Sequence, residues 1–210
     1  MRVLVAYATR HGATRGIAQR IGERLVAAGL EVTVAPAKSI VDITPFDAFV
    51  IGGATYMGRW LGEVRAFVRR HREGLRGAPV WLYGSGPLGT DTVDAQGRDV
   101  LHLSEPTDFE ELEPVLHPRG HVVFFGAFDP DAHPASIAEW LAQPFWKMAS
   151  VRRAMPSGDF RDWPAIDAYA DSIAHQLLHP HVPIGTSTGA IRGTDPGITA
   201  FEEAGPWAPV

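Results

Sequence analysis

The sequence predicts an α/β fold built on a parallel sheet. Two observations support this prediction: short apolar runs rich in β-branched residues recur along the chain, and segments with helical spacing separate them. Strands that alternate with helices imply parallel pairing through right-handed crossovers. The predicted strands are Val3–Tyr7, Glu31–Ala35, Asp47–Gly53, Ala78–Tyr83 and His121–Phe128.

The helices between these strands are predicted from apolar stripes and end signals. The first begins at Thr14, and a second follows Trp60 with a strongly basic outer face. Thr107 and Glu110 have the spacing of a capping box for a short helix through Leu116. Asp162-Trp163-Pro164 opens the last helix. The apolar stripes are Ile17, Ile21, Leu25 and Val26 in the first, Leu61, Val64, Phe67 and Val68 in the second, and Ile166, Tyr169, Ile173 and Leu177 in the last.

Composition limits the classes of function. The 210-residue chain has 45% hydrophobic and 20% charged residues, which is ordinary for a globular domain. It contains no cysteine, so thiol chemistry, thiolate metal sites and iron–sulfur clusters are excluded, and redox chemistry would need a bound cofactor. The net charge of −5 argues against a nucleic-acid partner. We expect no metal site, no transmembrane segment and a cytoplasmic location.

The chain is expected to form one domain, residues 1–179, followed by a Pro/Gly-rich tail, residues 180–210. Two insertions extend a minimal five-strand unit: residues 85–106 and residues 129–160. The latter includes a predicted helix over Ser136–Gln143, continuing through Pro144–Met148. Acidic residues are concentrated in residues 85–120, where eight acids and two bases give a net charge of −6.

A hydroxyl-rich turn around one glycine follows the first predicted strand and leads into the first helix. Such a turn aims backbone N–H groups and hydroxyls at one point beside a helix N-terminus, which is an anion site of the size of a phosphate. It fits neither the P-loop nor the Gly-x-Gly-x-x-Gly pattern. The alternative is an ordinary strand-to-helix turn with Thr14 as N-cap. The predicted phosphate-binding residues are Thr9, Arg10, His11, Gly12, Ala13 and Thr14.

Two further loops follow neighbouring strands at the edge where doubly wound sheets bind ligands. The first, Ala54–Trp60, carries side chains suited to stacking on a flat ring; core packing is the alternative for its aromatic residues. The second is rich in glycine, which lets a backbone approach a ring edge closely. The candidate residues are Ala54, Thr55, Tyr56, Met57 and Trp60 in one loop, and Gly84, Ser85, Gly86, Pro87, Leu88 and Gly89 in the other.

Thr-Arg-His-Gly-Ala-Thr at residues 9–14 resembles the phosphate loop of flavodoxins, a turn of the form Thr-x-x-Gly-x-Thr. The resemblance covers residues 1–178. It implies a flavodoxin-like, doubly wound five-stranded parallel sheet of order 2-1-3-4-5, with FMN as the cofactor. The turn is most similar to that of the menaquinone-linked protoporphyrinogen oxidases, which have Thr-Arg-Asp-Gly-x-Thr; His11 takes the place of that Asp. Residues 146–150 and 158–163 also resemble segments of that family.

This second resemblance implies an enzyme that oxidises a porphyrinogen and passes the electrons through FMN to a quinone. Lys147, Arg152, Arg153 and Arg161 form a basic cluster in the sequence that could hold the carboxylates of such a substrate. A solvated face is the alternative. Two other functions stay open: an electron-carrier flavodoxin that serves redox partners without a substrate of its own, and an NAD(P)H:quinone reductase.

Overall fold

A computed structural model describes residues 1–129 and 157–180, in which strands and helices alternate as predicted. The strands are β1 (Arg2–Ala8), β2 (Glu31–Pro36), β3 (Ala48–Tyr56), β4 (Arg59–Trp60), β5 (Val80–Ser85), β6 (Gly120–Phe124), β7 (Ala127–Phe128) and β8 (Gly158–Asp159). The helices are α1 (Ala13–Ala27), α2 (Gly62–Leu75), α3 (Val100–Leu103), α4 (Asp108–Leu116) and α5 (Trp163–Leu178), and a 3₁₀ turn covers Ala37–Ser39.

Five strands form the main sheet in the order β2-β1-β3-β5-β6, and every neighbouring pair is parallel. This is the predicted 2-1-3-4-5 order, counted without the two-residue strand β4. Parallel strands place all their carboxyl ends at one edge. The turns that follow β1, β3 and β5 therefore leave the sheet side by side.

The sheet is covered on both faces, because alternate residues of each strand point to opposite sides. Leu4, Ala6 and Ala8 of β1 belong to a core that includes Val64 and Phe67 of α2. The β1 side chains on the opposite face belong to a second core, shared with α1 and α5. That second core contains Val3, Val5, Tyr7, Ile17, Ile21, Leu25, Ile166 and Ile173. The crossovers thus lie on both faces, as a doubly wound fold requires.

The segment expected to be a loop over Ala54–Trp60 is a β-hairpin instead. Strand β3 continues to Tyr56 and pairs antiparallel with β4, Thr55 opposite Trp60. The two turn residues, Met57 and Gly58, both have positive φ, of 51° and 73°. Such a turn matches the twist of the two strands it joins, which explains why the chain pairs here rather than leaving the sheet.

Three other boundaries differ from prediction. The capping box is wrong: Thr107 itself has helical dihedral angles, and its side chain makes no capping hydrogen bond to α4. The fifth sheet strand ends at Phe124, and Ala127–Phe128 pairs separately with Gly158–Asp159. The sequence also favours a helical turn over Lys38–Ile43, and the structure has a shorter 3₁₀ turn over Ala37–Ser39 instead. By contrast, Asp162 caps α5 as predicted, accepting the Ala165 N–H at 3.0 Å.

The predicted helix at Ser136–Gln143 and the tail beyond Pro180 lie outside the described residues. The domain boundary at residue 180 therefore stays a prediction. Within residues 1–129 and 157–180, no helix combines the length and apolar character needed to cross a membrane.

Candidate cofactor site

The turn after β1 has the geometry of an anion site. Gly12 lies in the left-handed region, with φ of 88°, directly before α1, and it has no side chain to cap the first amides of that helix. The Gly12 N–H donates to Thr9 Oγ1 at 3.0 Å, which fixes the turn. Thr14 is not the N-cap; it lies in the first helical turn and is buried. A 15-residue helix thus begins at this turn, and an external anion could accept from its first N–H groups.

Two arginines and a histidine lie at this turn. The Arg10 guanidinium lies over the Tyr56 ring, 4.9 Å from the ring centroid. His11 contacts Phe128 edge to face, with 6.2 Å between the ring centroids. Arg161 Nη1 donates to the carbonyl oxygen of Ala13 at 3.3 Å. Two arginines from distant parts of the chain, Arg10 and Arg161, therefore lie close to the start of α1, and this arrangement suits a phosphate.

The β3–β4 hairpin separates the candidate stacking residues into two groups. Tyr56 is 42% exposed, and Met57 at the tip is fully exposed. Trp60 is only 2% exposed, and its ring packs edge to face on Phe109 with centroids 5.3 Å apart. The Trp60 ring therefore belongs to the core, which favours the core-packing alternative over stacking on a cofactor ring. Tyr56 and Met57 lie exposed at the carboxyl edge of the sheet.

The glycine-rich segment lies close to the end of β3. Gly84 and Ser85 form the end of β5, and the turn proper is Gly86–Gly89. A Cβ on Gly86 would come within 3.2 Å of Thr55 Cβ, so only glycine permits this approach without movement. Thr55 Oγ1 is buried and makes no hydrogen bond within the described residues. This hydroxyl, placed between the second and third loops, fits a polar ligand group at the same edge.

A residue that sequence reasoning missed holds the hairpin in place. Asp108, at the start of α4, is 3% exposed although it lies within the acidic segment. Its Oδ1 lies 3.2 Å from Arg65 Nε and 3.5 Å from Arg59 Nη2, and its Oδ2 accepts the Trp60 N–H. The one available signal was its place between Thr107 and Phe109, next to an aromatic core position rather than in a uniform acidic run.

The proposed carboxylate-binding cluster is only partly testable. Lys147, Arg152 and Arg153 lie outside the described residues. Arg161 is described, and both terminal carboxylate oxygens of Asp159 accept from its guanidinium. The Arg161 hydrogen bonds lower the pKa of the Asp159 carboxyl below its usual value. Arg161 is therefore already paired with Asp159. Its grouping with the other three cations as a basic cluster stays a prediction.

A turn with the geometry of an anion site after the first strand, beside two connections at the carboxyl edge, is typical of nucleotide-binding proteins of the doubly wound α/β class. The comparison with protein families is more specific. Residues 4–130 match the family described as "Flavodoxin domain", and the chain belongs to that family. No curated protein matches the sequence.

Solved structures show the same fold. The chain is similar to a flavodoxin from the domain Archaea, with 14% identity and a TM-score of 0.52, over 85% of this chain and 100% of that one. A flavodoxin from Streptococcus pneumoniae TIGR4 gives 16% identity and a TM-score of 0.51, over 84% and 99%. Rubredoxin oxygen:oxidoreductase from Desulfovibrio gigas gives 12% identity and a TM-score of 0.53, over 84% of this chain and 36% of that one.

Membership of the flavodoxin family implies FMN as the cofactor and electron transfer as the general activity, in agreement with the sequence prediction. The donor set of the site fits FMN. The first amides of α1 suit its phosphate, and the exposed Tyr56 ring and Gly86–Gly89 turn suit a flat ring system.

Proposed function

We propose that this protein is an electron-transfer oxidoreductase that binds FMN across the three loops at the carboxyl edge of its sheet. The turn at residues 9–14 takes the phosphate. Tyr56 and Met57 take one face of the ring, and Gly86–Gly89 takes its edge. The observation that carries the proposal is the left-handed Gly12, which opens α1 without a side-chain cap. When bound, FMN supplies the redox chemistry; the protein binds and orients it and sets its charge environment.

Other predicted residues hold these contact residues in place. Ala54 and Thr55 continue β3 into the hairpin, and Trp60 anchors the hairpin through its buried ring. Gly84 and Ser85 end β5, so the third loop begins at a fixed point. These residues fix where Tyr56 and Gly86 lie, and positioning of this kind determines how well a cofactor is held.

The finer proposal is that the protein oxidises a porphyrinogen and transfers the electrons to a quinone in the cytoplasm. Its support is the similarity of residues 9–14, 146–150 and 158–163 to segments of the menaquinone-linked protoporphyrinogen oxidases. Lys147, Arg152 and Arg153 are the residues proposed for the substrate carboxylates. The electron-carrier flavodoxin and the NAD(P)H:quinone reductase are the competing functions.

Two measurements test these proposals in turn. Apo-protein is titrated with FMN and with riboflavin, which lacks the phosphate. We expect one FMN per chain and much weaker binding of riboflavin; equal binding, or none, contradicts the phosphate assignment. The FMN-loaded protein is then offered a porphyrinogen with a quinone, NAD(P)H with a quinone, or a flavodoxin reductase. Reaction with only the last would establish a carrier.

A further inference from the structure

Arg161 contacts the first turn of α1, although the two are far apart in the sequence. Its Nη1 donates to the Ala13 carbonyl at 3.3 Å, across 148 residues. A Cβ on Gly16 would lie 2.3 Å from the same nitrogen, so glycine at this position leaves the space that the guanidinium fills. The Arg161 side chain is 17% exposed. It is therefore packed against the helix end, not extended into solvent.

Three contacts fix this guanidinium. Asp159 accepts from its Nε and Nη2, and the Trp163 ring lies against it, 4.4 Å from Cζ to the ring centroid. Asp159 itself belongs to β8, which pairs with β7, and the Phe160 N–H donates to the Gly126 carbonyl at 3.0 Å. The charge is thus held on a short antiparallel ribbon attached to the carboxyl edge of the sheet.

A positive charge at this place is unfavourable for the helix alone. The N-terminus of α1 is the positive end of its dipole, where cations destabilise and anions stabilise. In the free protein Asp159 offsets the charge of Arg161, and it is partly exposed, with 46% of its side chain accessible. A bound phosphate would offset the repulsion between Arg161 and the N-terminus of α1, since both would then attract the same anion.

We propose that Arg161 is a positioning residue for the FMN phosphate: it braces the first turn of α1 and adds positive charge beside the turn at residues 9–14. This inference rests on the proposed function, and it assigns part of phosphate recognition to a residue outside the phosphate turn. Asp159 acts in the opposite sense, because its negative charge reduces the attraction that Arg161 exerts on an anion.

The test compares dissociation constants of the apo-protein for FMN and for riboflavin, followed by flavin fluorescence. A general loss of folded protein weakens both apparent affinities by the same factor, so it does not change the ratio of the two constants. We expect Arg161→Gln to weaken FMN about tenfold and to leave riboflavin unchanged, the effect of one partly screened charge. Arg161→Lys keeps the positive charge and should retain most of the wild-type affinity for FMN. Asp159→Asn leaves the FMN constant unchanged or strengthens it up to about threefold.

Arg24→Gln is the matched control. Like Arg161, Arg24 donates through Nε and Nη2 to one aspartate, in this case Asp171 on α5. Arg24 lies near the C-terminal end of α1, away from the turn at residues 9–14. Its removal should not change the ratio. If Arg161 only braces the ribbon, Arg161→Gln and Asp159→Asn will weaken FMN equally, and that result overturns the charge role. The charge role is also overturned if wild type prefers FMN to riboflavin and Arg161→Gln leaves the ratio of the two dissociation constants unchanged. Wild type that binds both flavins equally contradicts the proposed function itself.

Discussion

Asp108 Oδ2 accepts a hydrogen bond from the Trp60 N–H at 2.9 Å, which joins a buried carboxylate on α4 to the β3–β4 hairpin. The two residues are 48 positions apart. Arg59 and Arg65 neutralise the carboxylate at the same time. The acidic segment therefore contributes to the candidate site through packing, and the negative charge of Asp108 is not available to an external partner.

Removal of this carboxylate should destabilise the fold. In Asp108→Ala the buried Trp60 N–H loses its acceptor and two arginines lose their partner, at a cost of about 2–4 kcal/mol in the free energy of unfolding. Urea unfolding followed by tryptophan fluorescence measures the loss. Glu111→Ala is the control: it breaks an exposed pair with Arg59 and should cost under about 1 kcal/mol. Equal losses in both variants would refute the structural role of Asp108.

Thr14 gives a direct test of the phosphate turn. Thr14→Ala removes a buried hydroxyl from the first turn of α1 and should weaken FMN binding by about 1.5–3 kcal/mol, the value of a hydrogen bond to a charged group. Riboflavin binding should not change, because riboflavin lacks the phosphate. Isothermal titration of the apo-protein with each flavin measures both effects. A parallel loss for the two flavins would instead indicate a packing defect in the helix.

Tyr56 gives the complementary test of the ring. We expect Tyr56→Ala to weaken FMN and riboflavin by the same factor, about 1–3 kcal/mol, since stacking acts on the ring that both share. Tyr56→Phe should retain most of the affinity. Titration of both flavins into each variant distinguishes ring contacts from phosphate contacts. Loss of FMN affinity alone would place Tyr56 near the phosphate, together with the Arg10 guanidinium that lies over its ring.

Gly52 shows a packing constraint in the sheet. A Cβ at this position would lie 2.1 Å from the Tyr83 ring, which sits opposite it on β5. Tyr83 is fully buried, so the ring has no free space, and Gly52→Ala should cost about 1–3 kcal/mol in unfolding free energy. Gly62→Ala, where nothing lies within 4 Å, should be neutral or stabilising. The double variant with Gly52→Ala and Tyr83→Leu should regain part of the unfolding free energy lost in Gly52→Ala. If it does not, the clash with the Tyr83 ring is not the cause of the loss.

The ion pair between Arg20 and Asp167 predicts a pH dependence. Hydrogen bonds from Arg20 lower the pKa of Asp167 in the folded state. The stabilisation is therefore present above the unfolded pKa, about 3.9, and is lost as the pH falls through the lower folded value. The melting temperature of Asp167→Asn should be below that of wild type at pH 7, and the difference should shrink steadily as the pH falls below the unfolded pKa of about 3.9. A difference that stays constant as the pH is lowered would contradict the pair.

The sheet could be predicted from the sequence because each buried strand is a continuous apolar run, as in Val3–Tyr7 and Ala78–Tyr83. The turn at residues 9–14 could also be predicted, because its signal is local: a hydroxyl-rich turn with one glycine leads directly into a helix. The hairpin was not predicted. Met57 is an unusual residue at positive φ, so the turn lacks the Asn-Gly or Asp-Gly signal that marks most such turns.

The non-local contacts could not be predicted for a different reason. Trp60 is suited both to a ring site and to a core, and only its contact with Phe109 decides between them. Asp108 and Arg161 have ordinary sequence neighbours, and their roles depend on partners 48 and 148 residues away. Local sequence patterns carry no information on such distant pairs.

The contact between α1 and α5 affects synthesis of the chain on the ribosome. Arg20 and Arg24 are each paired with a residue 147 positions later, and the apolar residues of both helices share one core. At about 5–20 residues per second, translation of that interval takes roughly 7–30 s. During this time the face of α1 that later packs against α5 has no partner helix. The nascent chain therefore exposes an apolar surface to chaperones and to other unfinished chains.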